Sequence, residues 1–440
     1  MVVLRRVKVH KFLNVVPGCE IELGPGINVL LGQNGTGKTT LLNWLSDMLA
    51  GRWDDWARES YEVELELQSS DVQAVIRVKN TVPELTPPAA RQAAEARGLR
   101  ERLDRQPENA KREVDITIEA PEDRYEIQWR PPTLTLQQGQ SVELHEGTPL
   151  GMLVDPTLAY EQPIAAQYPY TNQDSVLISV LGTQLFDLRV LSRFDESLGL
   201  FQAALGKGSS IRLRQSKSAD DPPWNYQSTP LVPPVFDSMA TEQAFSSGGG
   251  DNLSLLSFSS QHLPYLERAV TLFGFRSAKI LSSILGVTSY ARASDYQFGD
   301  LRVMFTCQDG GIIHHDHLSY GQKRMLAFLW YLELNRDIII VDELVNGLHH
   351  AWIEQAIEQI GERQAIVTSQ NPLLLDYLGF ESADEMRRRF VLCRANLDPD
   401  TKRSHWEWRN PSTSEAESFY SAYQAGIQHV GEILMDKGLW

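Results

Sequence analysis

The sequence predicts an α/β fold with a mixed central sheet, an antiparallel β layer and an inserted, mainly helical lid. Three observations predict it. A short apolar strand, Ile27 to Leu31, passes through a glycine loop into a helix running from Lys38 to about Leu49. Late in the chain, RDIIIVDELVNGLHHAWIEQAIEQI and RQAIVTSQNPLLLDYL each read as a buried strand feeding a helix. Together with the early strand they imply one parallel sheet assembled from both ends of the chain. Alternating apolar residues around Tyr61 to Leu67, Val72 to Val78, Val114 to Ile118 and Tyr125 to Trp129 supply the antiparallel layer.

In chain order, residues 1–22 alternate like paired strands ahead of the glycine loop. Residues 87–113 are rich in Ala, Arg and Glu with little apolar face, which reads as an exposed helix or a mobile insert. From 138 to 251 the pattern weakens into Pro-, Ser- and Gly-rich loops and no element is assigned. Residues 252–286 return to helical spacing and furnish the lid; DLRVMFTCQDGGIIHHD reads as a hairpin turning at Asp309 to Gly311. Leu326, Phe328, Leu329, Tyr331, Leu332 and Leu334 suit a helix buried on most of its circumference. The expected division is 1–80, an insertion at 81–290, and 291–440.

Length and composition are those of an ordinary globular protein of two or three domains. With 57 acidic and 41 basic residues the formal charge is -16, so non-specific attraction to nucleic acid or anionic membrane is not expected. Cys19, Cys307 and Cys393 are far apart, odd in number and without a CxxC pair, which points to a reducing compartment. No apolar run approaches bilayer length, and Arg5, Arg6 and Lys8 precede no signal core, so the expected location is cytoplasmic.

Gly32, Gly37, Lys38 and Thr39 fit GxxxxGK[ST] between a strand and a helix. Backbone N–H groups across Asn34, Gly35, Thr36, Gly37, Lys38, Thr39 and Thr40 cradle phosphates in such a loop; Lys38 reaches the outer phosphates and Thr39 offers a hydroxyl to Mg2+. Asp342 and Glu343 end the apolar run Ile338 to Val341, at the strand edge where open α/β sheets bind ligands. Asp342 suits a Mg2+ ligand and Glu343 a general base for water. LSYGQ, Leu318 to Gln322, heads a helix with a serine and a glycine, an arrangement that favours an anion; an unrelated helix cap is the alternative.

The order of phosphate loop, LSYGQ, apolar strand with Asp-Glu, and strand with TSQNP resembles an ABC-type ATPase. Within it, the chain looks like the RecF, SMC and OLD-related ATPases of anti-phage systems such as PARIS and Septu. The resemblance implies an ABC-ATPase head that hydrolyses ATP with Mg2+ as a homodimer or higher oligomer, Ser319, Gly321 and Gln322 closing over a second copy's nucleotide. It places Gly347 to His349 in the loop that touches the opposite protomer. Gln370 stands where a histidine is usual, so hydrolysis is expected to be slow. Lys11, Phe12 and Leu13 stand where a Phe-Arg pair is common, and Gln167 and Gln173 are the candidates for a magnesium-contacting glutamine. The expected role is a sensor or scaffold controlling a partner nuclease, with a RecF-like DNA repair or clamp-loading ATPase as the alternative. A transporter motor and an inert nucleotide site rank below both.

His314, His315, Asp316 and His317 resemble metal ligands only superficially, since in a strand His315 and His317 would share a face while His314 points away. Two basic clusters, Arg91 to Arg112 and Arg387, Arg388, Arg389, Arg394, Lys402 and Arg403 with Trp406 and Trp408 nearby, leave direct DNA binding possible.

Overall fold

The computed structural model describes residues 1–50, 56, 58–69, 72–82, 111–119, 124–130, 133–136, 140–143, 193–205, 209–217, 224–228, 231–246, 253–397 and 404–440. These fall into two compact units. One holds the described residues up to Glu143 with Arg363–Thr368 and Leu378–Trp440; the other holds those from Arg193 to Glu362 with Ser369–Tyr377.

In chain order the elements are β1 (Val3–Phe12), β2 (Cys19–Glu22), β3 (Ile27–Leu31), α1 (Lys38–Leu49), β4 (Tyr61–Ser69), β5 (Val72–Thr81), β6 (Lys111–Glu119), β7 (Arg124–Arg130), β8 (Thr133–Leu136) and β9 (Gln140–Glu143). Next come α2 (Gly199–Leu205), β10 (Ser210–Ser216), β11 (Trp224–Ser228), α3 (Phe236–Ser246), β12 (Leu255–Ser259), α4 (Pro264–Phe273), β13 (Ser277–Ser289), β14 (Ala293–Thr306) and β15 (Ile312–His314). The chain continues through α5 (Tyr320–Leu334), β16 (Ile338–Val341), α6 (His350–Ile360), β17 (Gln364–Thr368) and α7 (Leu373–Asp376). It ends with α8 (Ala383–Arg389), β18 (Phe390–Leu397), β19 (Ser404–Arg409), α9 (Thr413–Ala425) and α10 (Val430–Asp436).

In the first unit β3 lies parallel between β17 and β18, with Val29 opposite Val367 and Phe390, and β19 returns antiparallel on β18. Both faces of β3 are covered, which is why Val29, Leu30 and Leu31 are apolar without alternation, and the buried Asn28 is met by the backbone of Gly24 and Gly26. The expected pairing of an early strand with a late one is therefore present. The antiparallel layer is present too, in the order β2-β1-β4-β5-β6-β7-β8-β9, and β4 buries every second residue from Tyr61 to Leu67. Phe12, at the end of β1, is buried within 5.1 Å of Trp44, 5.3 Å of Trp56 and 6.4 Å of Trp408, ring centre to ring centre, so its role is core packing.

The second unit contains the antiparallel sheet β11-β10-β14-β13-β12, with β15 hairpinned onto β14. The turn is the expected one: Cys307 N–H donates to Gly311 O at 2.7 Å. The lid differs from expectation, because 255–259 and 277–286, read as helical, lie in strands β12 and β13 on either side of α4. Their apolar residues also satisfy a period of two, and SSILGVTS carries the β-branched content that favours a strand. In α5 every residue from Arg324 to Leu332 is buried, and Tyr331 stitches the helix to β16: its hydroxyl donates to Ile340 O at 3.0 Å and accepts from Ile340 N–H at 2.9 Å. Residues 87–110 lie outside the described residues, as does most of 138–251. Among the described residues no helix is long and apolar enough to cross a membrane.

Beyond β19, Arg409 donates to both oxygens of Glu415 at 2.7 and 2.9 Å, and Ser412 N–H adds a third bond at 2.6 Å, closing the capping box that starts α9. The Arg409 guanidinium holds the Glu415 carboxyl down to about 2. Because the shift is downward, this stabilisation is complete above the ordinary value of 4.5 and is lost as pH falls from there towards 2. Glu415→Gln is expected to lower stability by about 1 kcal/mol at neutral pH. In urea titrations the difference from wild type should shrink as pH falls below 4.5 and close near pH 2; a constant difference would remove the charge from the account.

Candidate active site

The phosphate loop lies between β3 and α1. Gly37 is the N-cap of α1 with φ +82°, and a Cβ there would meet the Trp406 ring at 2.7 Å, so glycine is required on two counts. Lys38 is largely buried and its ammonium rests on Gly32 O at 2.5 Å and Gln33 O at 3.0 Å, inside the loop. Asn34, Gly35 and Thr39 are exposed, Thr40 is half-buried, and Thr36 is buried with its hydroxyl on Gln33 O at 2.8 Å. A cation within a turn of backbone N–H groups at a helix start fits a phosphate chain.

Two tryptophans of β19 hold this loop from outside, and sequence reading missed the role. Trp406 Nε1–H donates to Gly35 O at 2.9 Å and Trp408 Nε1–H to Thr36 O at 3.1 Å, the two rings stacking 6.1 Å apart. Their i, i+2 spacing on one strand face was legible; what they faced was not. Opposite Trp408, the Cys393 thiol, wholly buried on β18, is pushed up to about 12 by desolvation. All three cysteines are free.

In the second unit, Asp342 and Glu343 follow β16 directly. Asp342 is paired with Arg193, Nη1 to Oδ2 at 2.5 Å, and Arg193 also lies 3.4 Å from Asp195. The adjacent Phe194 runs beside β16 as a parallel bridge, donating to Ile340 O at 2.8 Å and accepting from Asp342 N–H at 2.7 Å. Arg193 carried no motif, so nothing in the sequence pointed to it. The Asp342 carboxylate is a hard oxygen donor of the kind that suits Mg2+. Glu343 has φ +55°, a conformation that costs a side-chain-bearing residue about 1–3 kcal/mol. Its Oε2 accepts from Gln370 backbone N–H at 3.0 Å, so Gln370 meets the glutamate through its main chain.

Ser319 is the N-cap of α5 and forms a full capping box: its Oγ accepts from Gln322 N–H at 3.3 Å while Gln322 Oε1 accepts from Ser319 N–H at 2.9 Å. A Cβ on Gly321 would lie 2.9 Å from Gly347 O, and one on Gly347 would strike Tyr320. LSYGQ and the loop after Glu343 therefore pack against each other within one chain. His349 caps α6, its Nδ1 accepting from Ala351 N–H at 3.4 Å.

The histidines differ from expectation. The chain leaves β15 for a 3-10 turn at His315, so His314 and His315, not His315 and His317, come together with Asp316. His315 Nδ1 accepts from Val303 N–H at 3.2 Å, and burial lowers its pKa to about 4. The neutral ring then carries its proton on Nε2, 3.4 Å from Asp316, where a metal would need a lone pair. The three line a cavity of about 400 Å³ with Asp300, Arg302 and Lys323. In the second basic cluster Arg387 pairs with Glu22 and Asp384, Arg388 with Asp384, and Arg389 with Glu385, which spends those charges internally. Lys402, Arg403 and residues 91–110 lie outside the described residues, as do Gln167 and Gln173.

Residues 6–143 match a family model described as an AAA domain, and residues 216–376 one described as an AAA domain, putative AbiEii toxin, type IV TA system. Both matches are to AAA-domain models, and each covers less than half of the chain. One match contains the phosphate loop, the other Asp342 and Glu343. Among solved structures, the chain is similar to an SMC head domain from Thermotoga maritima, at 8% identity and TM-score 0.34, covering 93% of this chain and 99% of that one. It is also similar to an SMC head from Pyrococcus furiosus bound to the C-terminal domain of ScpA (11% identity, TM-score 0.36, 96% and 100%) and to one from Pyrococcus yayanosii (10%, 0.36, 96% and 100%). No curated protein matches the chain.

Trp406→Phe keeps the ring against Gly37 and removes the donor to Gly35 O. It is expected to weaken binding of a fluorescent ATP analogue about three- to tenfold, the worth of one such bond. Unchanged affinity would show the loop holds its shape without it.

Proposed function

We propose that the protein is a Mg2+-dependent ATPase that works as an ATP-sandwich dimer and serves as the sensor or scaffold subunit of an anti-phage complex controlling a partner nuclease. The observation that carries the ATPase part is the phosphate loop itself, with Lys38 buried inside it at the start of α1. Lys38 neutralises the outer phosphates, and Thr39 and Asp342 would hold the metal. The bound metal supplies charge neutralisation of the phosphates. Glu343 aligns the attacking water and accepts its proton, a role whose removal typically costs about 10²–10⁴-fold in rate. Ser319, Gly321 and Gln322 act on the nucleotide of a second copy, with Gly347 and His349 in the loop meeting that copy. The defence role draws on the toxin–antitoxin wording of the family that matches residues 216–376. Direct DNA binding, the RecF-like alternative, loses support from the internal pairing of Arg387, Arg388 and Arg389.

Light scattering of purified Glu343→Gln with and without Mg-ATP tests the assembly. The expected result is an ATP-dependent rise in mass that Lys38→Ala abolishes together with nucleotide binding; a monomer in both states would overturn the sandwich. For the metal, the Arg193 pair must open before Asp342 can face Mg2+. Arg193→Ala is therefore expected to lower, by about three- to tenfold, the Mg2+ needed for half-maximal nucleotide binding. An unchanged or higher requirement would count against that exchange.

A further inference from the structure

We propose that Arg324 is a positioning residue for Glu343: its buried guanidinium holds the glutamate backbone in the left-handed conformation that aims the carboxylate. The proposal rests on the ATPase reading, in which Glu343 acts on water. Arg324 lies in the second turn of α5 and has no solvent exposure. Nη2 donates to Glu343 O, Nη1 donates to Asp195 O at 3.4 Å, and the guanidinium lies 5.1 Å over the Phe194 ring. Its Nε–H has no partner, and no carboxylate among the described residues forms an ion pair with it.

A side chain kept here only to fill space would be methionine or leucine, since a buried cation answered only by carbonyls and a ring is costly. What the guanidinium gains is geometric. At φ +55° the Glu343 carbonyl turns out of the strand direction, and Arg324 is the donor that receives it. The other end of the residue is fixed by Gln370 N–H on Oε2 at 3.0 Å. Glu343 is thus tethered at main chain and carboxylate. Releasing the first tether lets the backbone relax to negative φ and swings the carboxylate away from the second. The same guanidinium binds the carbonyl of Asp195, two residues after Arg193, so it braces the segment that meets Asp342 as well.

The test compares full-length wild type with Arg324→Lys, which keeps the charge, and Arg324→Met, which keeps the bulk without donors. Hydrogen exchange is read without nucleotide, and kcat and KM with Mg-ATP. For both variants the amides of 343–346 and Gln370 are expected to exchange at least about tenfold faster, with β14 unchanged. Turnover should fall about 10- to 100-fold with KM for ATP within about twofold. Unchanged exchange at 343–346 in Arg324→Met overturns the proposal, as does faster exchange spread equally through β14, which is the mark of a packing role. A wild type that binds but never hydrolyses Mg-ATP overturns the ATPase reading alone, and the exchange comparison still decides whether Arg324 holds Glu343.

Discussion

A guanidinium buried without a carboxylate is among the costlier things a small hydrophobic unit can contain, and the end of β16 is arranged around one. Arg324 reaches the Glu343 carbonyl from α5, while Phe194 beneath its face also packs on Phe328 and Tyr331 of that helix, at 5.4 and 5.7 Å. The cation–π contact returns about 0.5–2 kcal/mol, well short of the several that desolvating an ion costs. The balance comes from apolar packing: β16 is four consecutive fully buried β-branched residues, and α5 is buried almost all round. Core strength here sustains a strained glutamate at the strand end, the familiar bargain at functional sites.

The phosphate loop uses a different solution. Its glycines give the curvature, and its rigidity is imported from residues 371 and 372 positions later, through Trp406 and Trp408. Those two are delivered by the antiparallel turn from β18, itself parallel to β3, so the strand leading into the loop and the strands bracing it belong to one sheet. Ion pairing at Arg409 and Glu415 then fixes where β19 ends.

The sequence was legible where one local rule decides the answer. The β3-loop-α1 unit, the Asp309 to Gly311 turn and the alternating strands β4 and β5 follow from glycine placement and period-two burial, and each stands where those rules put it. The segment 252–286 was not legible, because SLLSFSS and ILSSILG satisfy a helical period and a strand period equally, and only pairing with β14 decides. The site divides the same way. Lys38, Asp342 and Glu343 announce themselves by spacing, whereas Arg193, Arg324 and Trp406 act through partners roughly 20 to 370 residues away, a relation that no local pattern encodes.

The signature shows why a motif and a cap should not be treated as rivals. Ser319 and Gln322 satisfy each other's main chain, so on the proposed reading an incoming phosphate must replace the Gln322 amide oxygen as the acceptor for Ser319 N–H. That exchange keeps the helix start capped throughout, since one acceptor substitutes for another and no N–H group is left unmet. A Cβ on Gly321 would press on the same chain's Gly347 carbonyl, so a bulky residue there disturbs the loop after Glu343 within the one chain. Tyr320 is the freer lever. It is 52% exposed, its ring lies against Gly347 and its hydroxyl donates to Glu196 O at 3.4 Å, so a change at the hydroxyl alters the exposed face of LSYGQ while leaving the cap and the loop packing in place.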